Sequence, residues 1–205
     1  MRYELVHPLR DIDELRSKSI HELEEYFRWF LEVRHSRISA LQLAITENVP
    51  GQSLSLDQSV ASMRPLGEWL SRVATQRARS AAELDVLRKK SLPGVEPPAH
   101  ELTEQTLSLG FDAGIYFGES LAREYSHLEW TQYLDDKLFG DYGQPVLIGF
   151  GRVALNPLRI VTTFLYGVVE GDFGPGRLEE LYLYWASRAA CSTDEPARGR
   201  PRKKR

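Results

Sequence analysis

The chain has 205 residues, 42% hydrophobic and 27% charged, a composition that fits a globular protein with one sizeable core or two small ones. No apolar run approaches eighteen residues, which excludes a membrane-spanning helix; charge comes too early at the N-terminus for a signal peptide; and the lone Cys191 excludes an internal disulfide and fits a reducing cytoplasm. The net charge of −3 is uneven, since residues 192–205 hold six basic and two acidic side chains and the first 191 therefore carry −7, so a polyanion would be met by the tail and repelled by the body.

After a short extended start at Tyr3–His7, Ser-Ile-His-Glu at 19–22 is a capping box, with Ser19 and Glu22 exchanging hydrogen bonds. Leu23, Phe27, Phe30, Leu31, Ile38, Leu41 and Ile45 then recur at helical spacing up to Asn48, where Pro50–Gly51 stops the helix. A second helix is expected near 62–74, capped by Ser62, with Pro65 tolerated in its first turn. Its buried face is Met63, Leu66, Trp69, Leu70 and Val73. Ser80 and Glu83 form another capping box for a short helix to Lys90. Ser-Leu-Pro-Gly-Val-Glu-Pro-Pro at 91–98 is a surface loop or linker. A long helix follows from about Ala99 to Tyr125. His127–Leu134 around Trp130 and Pro145–Phe150 read as strands joined by a hairpin-like loop. Asn156 caps a helix with Pro157 at its first position, whose apolar face is Leu158, Val161, Phe164, Leu165 and Val168. A glycine-rich turn at 171–176 leads to a last helix over 177–190, burying Leu178, Leu181, Tyr182 and Trp185. The expected class is α+β, mainly α: about six helices with a small two- or three-stranded antiparallel sheet, residues 1–191 forming one domain and 192–205 a disordered basic tail.

Several patterns bear on chemistry. Gly110, Gly114, Gly118 and Ala122 recur every four residues and form one helical stripe, the signature of close backbone approach by a neighbouring helix or by the hairpin. Asp112, Tyr116, Glu119 and Arg123 share one side of the same helix, making this a candidate functional face. Asp112 and Glu119 are about 10 Å apart along the axis, wide for two carboxylates acting on one bond, and Arg123 stands four residues from Glu119, at ion-pair spacing. Gly-Phe-Gly-Arg-Val-Ala at 149–154 matches a dinucleotide fingerprint but lacks its context, because the helix begins only at Asn156–Pro157. Gly-Glu-Ser-Leu-Ala at 118–122 lies within a helix, where a nucleophile elbow cannot form. His7, His21, His35, His100 and His127 show no metal-ligand spacing, and Cys191 has no cysteine partner. Trp29, Trp69, Trp130 and Trp185 read as core anchors. No catalytic residue, cofactor site or metal site is assigned.

Two resemblances add to this. The tail Arg198-Gly199-Arg200-Pro201-Arg202-Lys203-Lys204-Arg205 resembles an AT-hook, a basic module whose Arg-Gly-Arg-Pro core lies in the narrow minor groove of A·T-rich DNA. The segments Tyr26–Leu41, SVASMRPLGEWL, and GIYFGES, LEW, YGQPVLIGFG and LNPLRI resemble a group of uncharacterised bacterial proteins with a GxYxGE helix, a Trp-bearing strand and a QPVLxGF strand. That resemblance covers most of residues 19–185. It implies a small cytoplasmic protein of the kind presumed to be immunity or accessory proteins of bacterial conflict systems. The leading expectation is a non-catalytic protein whose acidic body binds a protein partner, a basic toxin or nuclease. The alternatives are a DNA-associated accessory protein tethered by its tail and a small enzyme using Glu119 and Tyr116.

Overall fold

The computed structural model describes residues 3–6, 12–48, 54–92 and 94–192. The order is α1 (Ile12–Ser17), α2 (Ile20–Asn48), α3 (Met63–Val73), β1 (Gln76–Ala78), α4 (Ala81–Lys90), β2 (His100–Leu102), α5 (Glu104–Glu124), β3 (Glu129–Gln132), β4 (Pro145–Phe150), β5 (Val153–Leu155), α6 (Pro157–Glu170) and α7 (Arg177–Ser192). Two antiparallel sheets accompany the helices, β1–β2 and β3–β4–β5. The class is α+β and mainly α.

The helix starts follow the local chemistry. Ser19 N donates to Glu22 Oε2 (2.8 Å) and Glu22 N to Ser19 Oγ (3.3 Å); Ser80 and Glu83 repeat the arrangement. Asn156 accepts from Arg159 N, with Pro157 in the first position of α6. Ser62 departs from expectation. A 3-10 turn over Val60–Ser62 leads into α3, and the Ser62 hydroxyl donates to Ser59 O (2.6 Å) instead of capping.

The main core draws on the end of α2, one face each of α3, α6 and α7, the inner side of β4, and α5 at its centre. Fourteen of the 21 residues of α5 are buried, so this helix is surrounded on most sides. The glycine stripe explains how closely α6 comes: a Cβ on Gly114 would lie 2.7 Å from Leu158 Cα, and one on Gly118 would run into the Trp130 indole and Pro157. Helix and hairpin both supply the close neighbour the stripe called for. Trp69 is fully buried, whereas Trp130 and Trp185 are half-buried. Trp29 is corrected as a core anchor: it is 36% exposed and lies on the outside of Phe111, at 6.0 Å between ring centroids.

Further elements differ from the sequence reading. The long helix begins at Glu104, not Ala99; Thr103 caps it by accepting from Thr106 N, and His100–Leu102 pairs with Gln76–Ala78 instead. β5 occupies the segment between the fingerprint-like glycines and α6, with a register shift in the β4–β5 ladder between Leu147 and Phe150. Gly149, at φ +115°, makes that irregularity possible. The pattern Gly-Phe-Gly-Arg-Val-Ala is thus a bulged hairpin, and no helix N-terminus faces it. α1 is a short helix whose Leu15 packs with Leu23 and Tyr142.

Candidate functional site

α5 places Asp112, Tyr116, Glu119 and Arg123 on one side, as the spacing required, but their functional groups go to different partners. Asp112 is fully buried. Arg37 on α2 reaches it with Nε to Oδ1 and Nη2 to Oδ2, each 2.8 Å, and the Tyr3 hydroxyl donates to Oδ2. Arg37 Nη2 also donates to Tyr3 Oη (2.9 Å) and Glu4 O (3.0 Å), while Val6 N donates to Ser108 Oγ (2.6 Å). The group therefore fastens residues 3–6 across α2 and α5. Burial pushes the Asp112 carboxyl up to about 6, against the opposing pull of Arg37 and Tyr3. At Arg37 burial acts downward, but the hydrogen bonds and charge of Asp112 outweigh it and raise the guanidinium. Burial followed by the Asp112 charge drives the Tyr3 phenol upward as well.

Glu119 does not pair with Arg123. Its Oε1 accepts from Arg34 Nη1 (2.6 Å) and from the Trp130 indole Nε1 (2.8 Å), joining α2, α5 and β3. Arg123 instead donates to Asp57 O (2.9 Å) and Gln58 Oε1 (3.3 Å). The Tyr116 hydroxyl accepts from Gln58 N (2.8 Å) and sits 2.6 Å from Ser62 Oγ. Because the Ser62 proton is directed to Ser59 O, Tyr116 is the donor in that contact. Each of the four side chains is thus a tie between elements. Among the described residues no group of three His, Cys, Asp or Glu is placed to hold a metal ion.

A second region, missed in the sequence, has the opposite character. The loop between β3 and β4 turns its apolar side chains outward: Leu138 is 81% exposed and Phe139 45%, with Leu134 beside them and the exposed Asp135 and Asp136 flanking. The loop is nonetheless firmly built. Asp136 Oδ1 accepts from Leu138 N (2.9 Å), Phe139 N donates to Asp136 O and Tyr142 N to Phe139 O (both 3.1 Å). Arg16 Nη2 donates to Leu138 O (2.7 Å), and Arg159 stands over the Phe139 ring at 5.8 Å. At the loop's end buried Asp141 pairs with Arg159 (3.0 Å) and accepts from Asn156 Nδ2 (2.8 Å), which also donates to Gln144 Oε1. Leu-Asp-Asp-Lys-Leu-Phe carries a signal only in retrospect: two apolar residues follow two aspartates within a turn, where no strand or helix periodicity directs them inward.

The basic residues Arg198, Gly199, Arg200, Pro201, Arg202, Lys203, Lys204 and Arg205 lie outside the described residues, as does His7. Cys191 is exposed on the last turn of α7. Among the described residues no helix is long and apolar enough to cross a membrane. Comparison with protein-family models, with curated proteins and with solved structures finds no match to this chain.

Proposed function

We propose that this is a non-catalytic protein-binding protein, of the immunity or accessory type, that neutralises a basic partner. The observation that carries the reading is the loop over 133–141, where Leu138 and Phe139 are exposed, following Asp135, Asp136 and Lys137, on a backbone that is already ordered. Exposed apolar side chains on a rigid loop lose little conformational entropy on contact, the condition for an interface anchor. Asp135 and Asp136 beside them select a cationic partner, and a body carrying −7 steers it electrostatically. The internal engagement of Asp112, Tyr116, Glu119 and Arg123 supports the same reading, because Glu119 holds Arg34 and Trp130 together and the other three are likewise occupied in joining elements.

Affinity capture with three baits tests this: wild type, Leu138→Ser/Phe139→Ser, and Asp135→Lys/Asp136→Asn. The substituted side chains are exposed, Asp136→Asn keeps the Oδ1 that accepts from Leu138 N, and circular dichroism verifies the fold. A protein held by wild type, released by salt and lost from both variants is the expected result. Equal capture by all three baits overturns the reading.

A second reading rests on the Arg-Gly-Arg-Pro tail, as a tether to A·T-rich DNA. It requires retention on A·T-rich duplex by the full chain, falling steeply with salt, and none after truncation behind Ser192.

A further inference from the structure

Residues 75–103 form an arm that leaves the core and returns to it. Its neck is closed by threonines: Thr103 N donates to Thr75 O (3.0 Å), Thr75 N donates to Thr106 Oγ1 (2.9 Å), and the Thr75 and Thr103 hydroxyls are 2.9 Å apart. Beyond the neck every β1 residue is exposed, α4 contains no buried residue, and α4 packs extensively on no other element. Ion pairs hold the arm's shape. Arg77 joins Glu83 to Glu101, Arg79 reaches Glu101 (3.2 Å) and the carbonyl of Pro98 (2.8 Å), and Arg88 bridges Asp85 (3.0 Å) and Glu96 (3.1 Å). Exposed pairs contribute about 0–1 kcal/mol each, and a two-stranded ribbon is marginal alone. Yet Val86 is 53% and Leu92 76% exposed here.

The outer face of α4 has a definite pattern. At 100° per residue, Ala82 and Val86 form its centre, Asp85 and Lys89 one flank, and Glu83 and Lys90 the other. We propose that this face pairs antiparallel with the same face of a second copy of this chain, across a two-fold axis between Val86 and Leu87. In antiparallel pairs like flanks meet. That register sets Glu83 level with Lys90 of the second copy and Asp85 within one residue, about 1.5 Å along the axis, of Lys89 of the second copy, with the two Val86 side chains equally close. A parallel pair would set acid on acid and base on base. Acidic early turns and basic late turns also suit a lone helix dipole, so polarity alone decides nothing. The deciding features are that both flanks match in one register and that the centre is apolar and uncovered. Beside this centre runs the open groove of about 400 Å³ that Arg79, Ala82, Val86, Leu87 and Glu101 help to line. Such a contact is isologous and closed. It is independent of any partner bound at the 133–141 loop.

A ten-residue helix is about 15 Å long, so the contact buries less than the ~1,200 Å² of stable complexes, and self-association is expected in the ~0.1 mM range. Sedimentation equilibrium of the full chain up to about 1 mM reads it: the mass rises with concentration from 23.4 kDa towards twice that value. Asp85→Lys and Lys89→Glu each weaken association about ten-fold, because each sets like charges across the axis. An equimolar mixture of the two variants regains wild-type association, since each then meets its complement. Both side chains are exposed, and circular dichroism verifies the fold. A monomer at every concentration overturns the proposal, as does a dimer indifferent to both reversals or a mixture that fails to recover.

Discussion

Asp112 concentrates the electrostatics of the fold at one side chain. It is fully buried, and two of its three hydrogen bonds come from Arg37, itself only 7% exposed. Removing one member of such a pair strands the other. Asp112→Asn is expected to cost about 3 kcal/mol at neutral pH, read as a lower denaturant midpoint, with residues 3–6 loosened because Tyr3 and Arg37 lose the charge and one of the two acceptor oxygens they share. The carboxyl also makes stability depend on pH. In the unfolded chain an aspartate loses its proton near pH ~3.9, whereas in the fold Asp112 keeps it up to about 6. Between those values the folded state binds more protons, so stability falls as pH rises from about 4 to 6 and then levels. The contribution present at the acid end is of the order of 3 kcal/mol. Glu22, Asp57 and Glu83, held below the usual carboxylate range chiefly by hydrogen bonds, pull the other way, so the readout is the difference: across that window urea unfolding is expected to show wild type losing stability relative to Asp112→Asn as pH rises. Parallel profiles would mean that Asp112 titrates as an ordinary aspartate.

At the level of elements, close packing and caps decide stability. Gly114→Ala adds helix propensity worth about 1 kcal/mol but sets a Cβ 2.7 Å from Leu158 Cα, backbone that cannot step aside alone. Overpacking at about 1–3 kcal/mol prevails, and thermal melting is expected to show a net loss. Asn156→Ala removes the α6 cap and two loop bonds together, leaving buried Asp141 with Arg159 alone. About 2–4 kcal/mol is expected, with a more mobile 133–144 loop as the readout that separates it from a simple cap loss. The elements legible in the sequence are those with a chemical start signal and a long period: Ser19–Glu22, Ser80–Glu83 and Asn156–Pro157 all cap the helices expected of them. β1, β2 and β5 were not legible, for they are three residues each and exist only through pairing partners distant in sequence or beyond a bulge. α1, at six residues, has too few turns for a period. The candidate site divides the same way. Helical spacing put Asp112, Tyr116, Glu119 and Arg123 on one side, but spacing names only neighbours within the helix, so it paired Glu119 with Arg123 and could not see Arg34 arriving from α2. The outward Leu138 and Phe139 were hidden because a loop has no period from which to read a face.

Taken whole, the molecule divides stability unevenly. α5 and α6 carry the apolar burial, whereas residues 75–103 are attached by a threonine neck and shaped by exposed ion pairs. Such a segment opens without the core opening, at a free energy below that of global unfolding. In native-state hydrogen exchange on a dilute sample, amides of α4 are expected to exchange at rates nearly independent of denaturant, because little surface is exposed by their opening. Those of α5 should follow the steep denaturant dependence of the whole fold. Thr106 is the hinge of this separation, being buried, accepting from Thr75 N and donating to Thr75 O (3.1 Å). Thr106→Val keeps the volume and deletes both bonds, so exchange in β1, α4 and β2 should accelerate by at least about ten-fold, the equivalent of about 1.4 kcal/mol for the two together, while α5 shifts only with global stability. If α4 and α5 instead exchange together and respond alike to Thr106→Val, the arm is part of the core's cooperative unit, and its exposed face is rigid surface instead of a separately opening element.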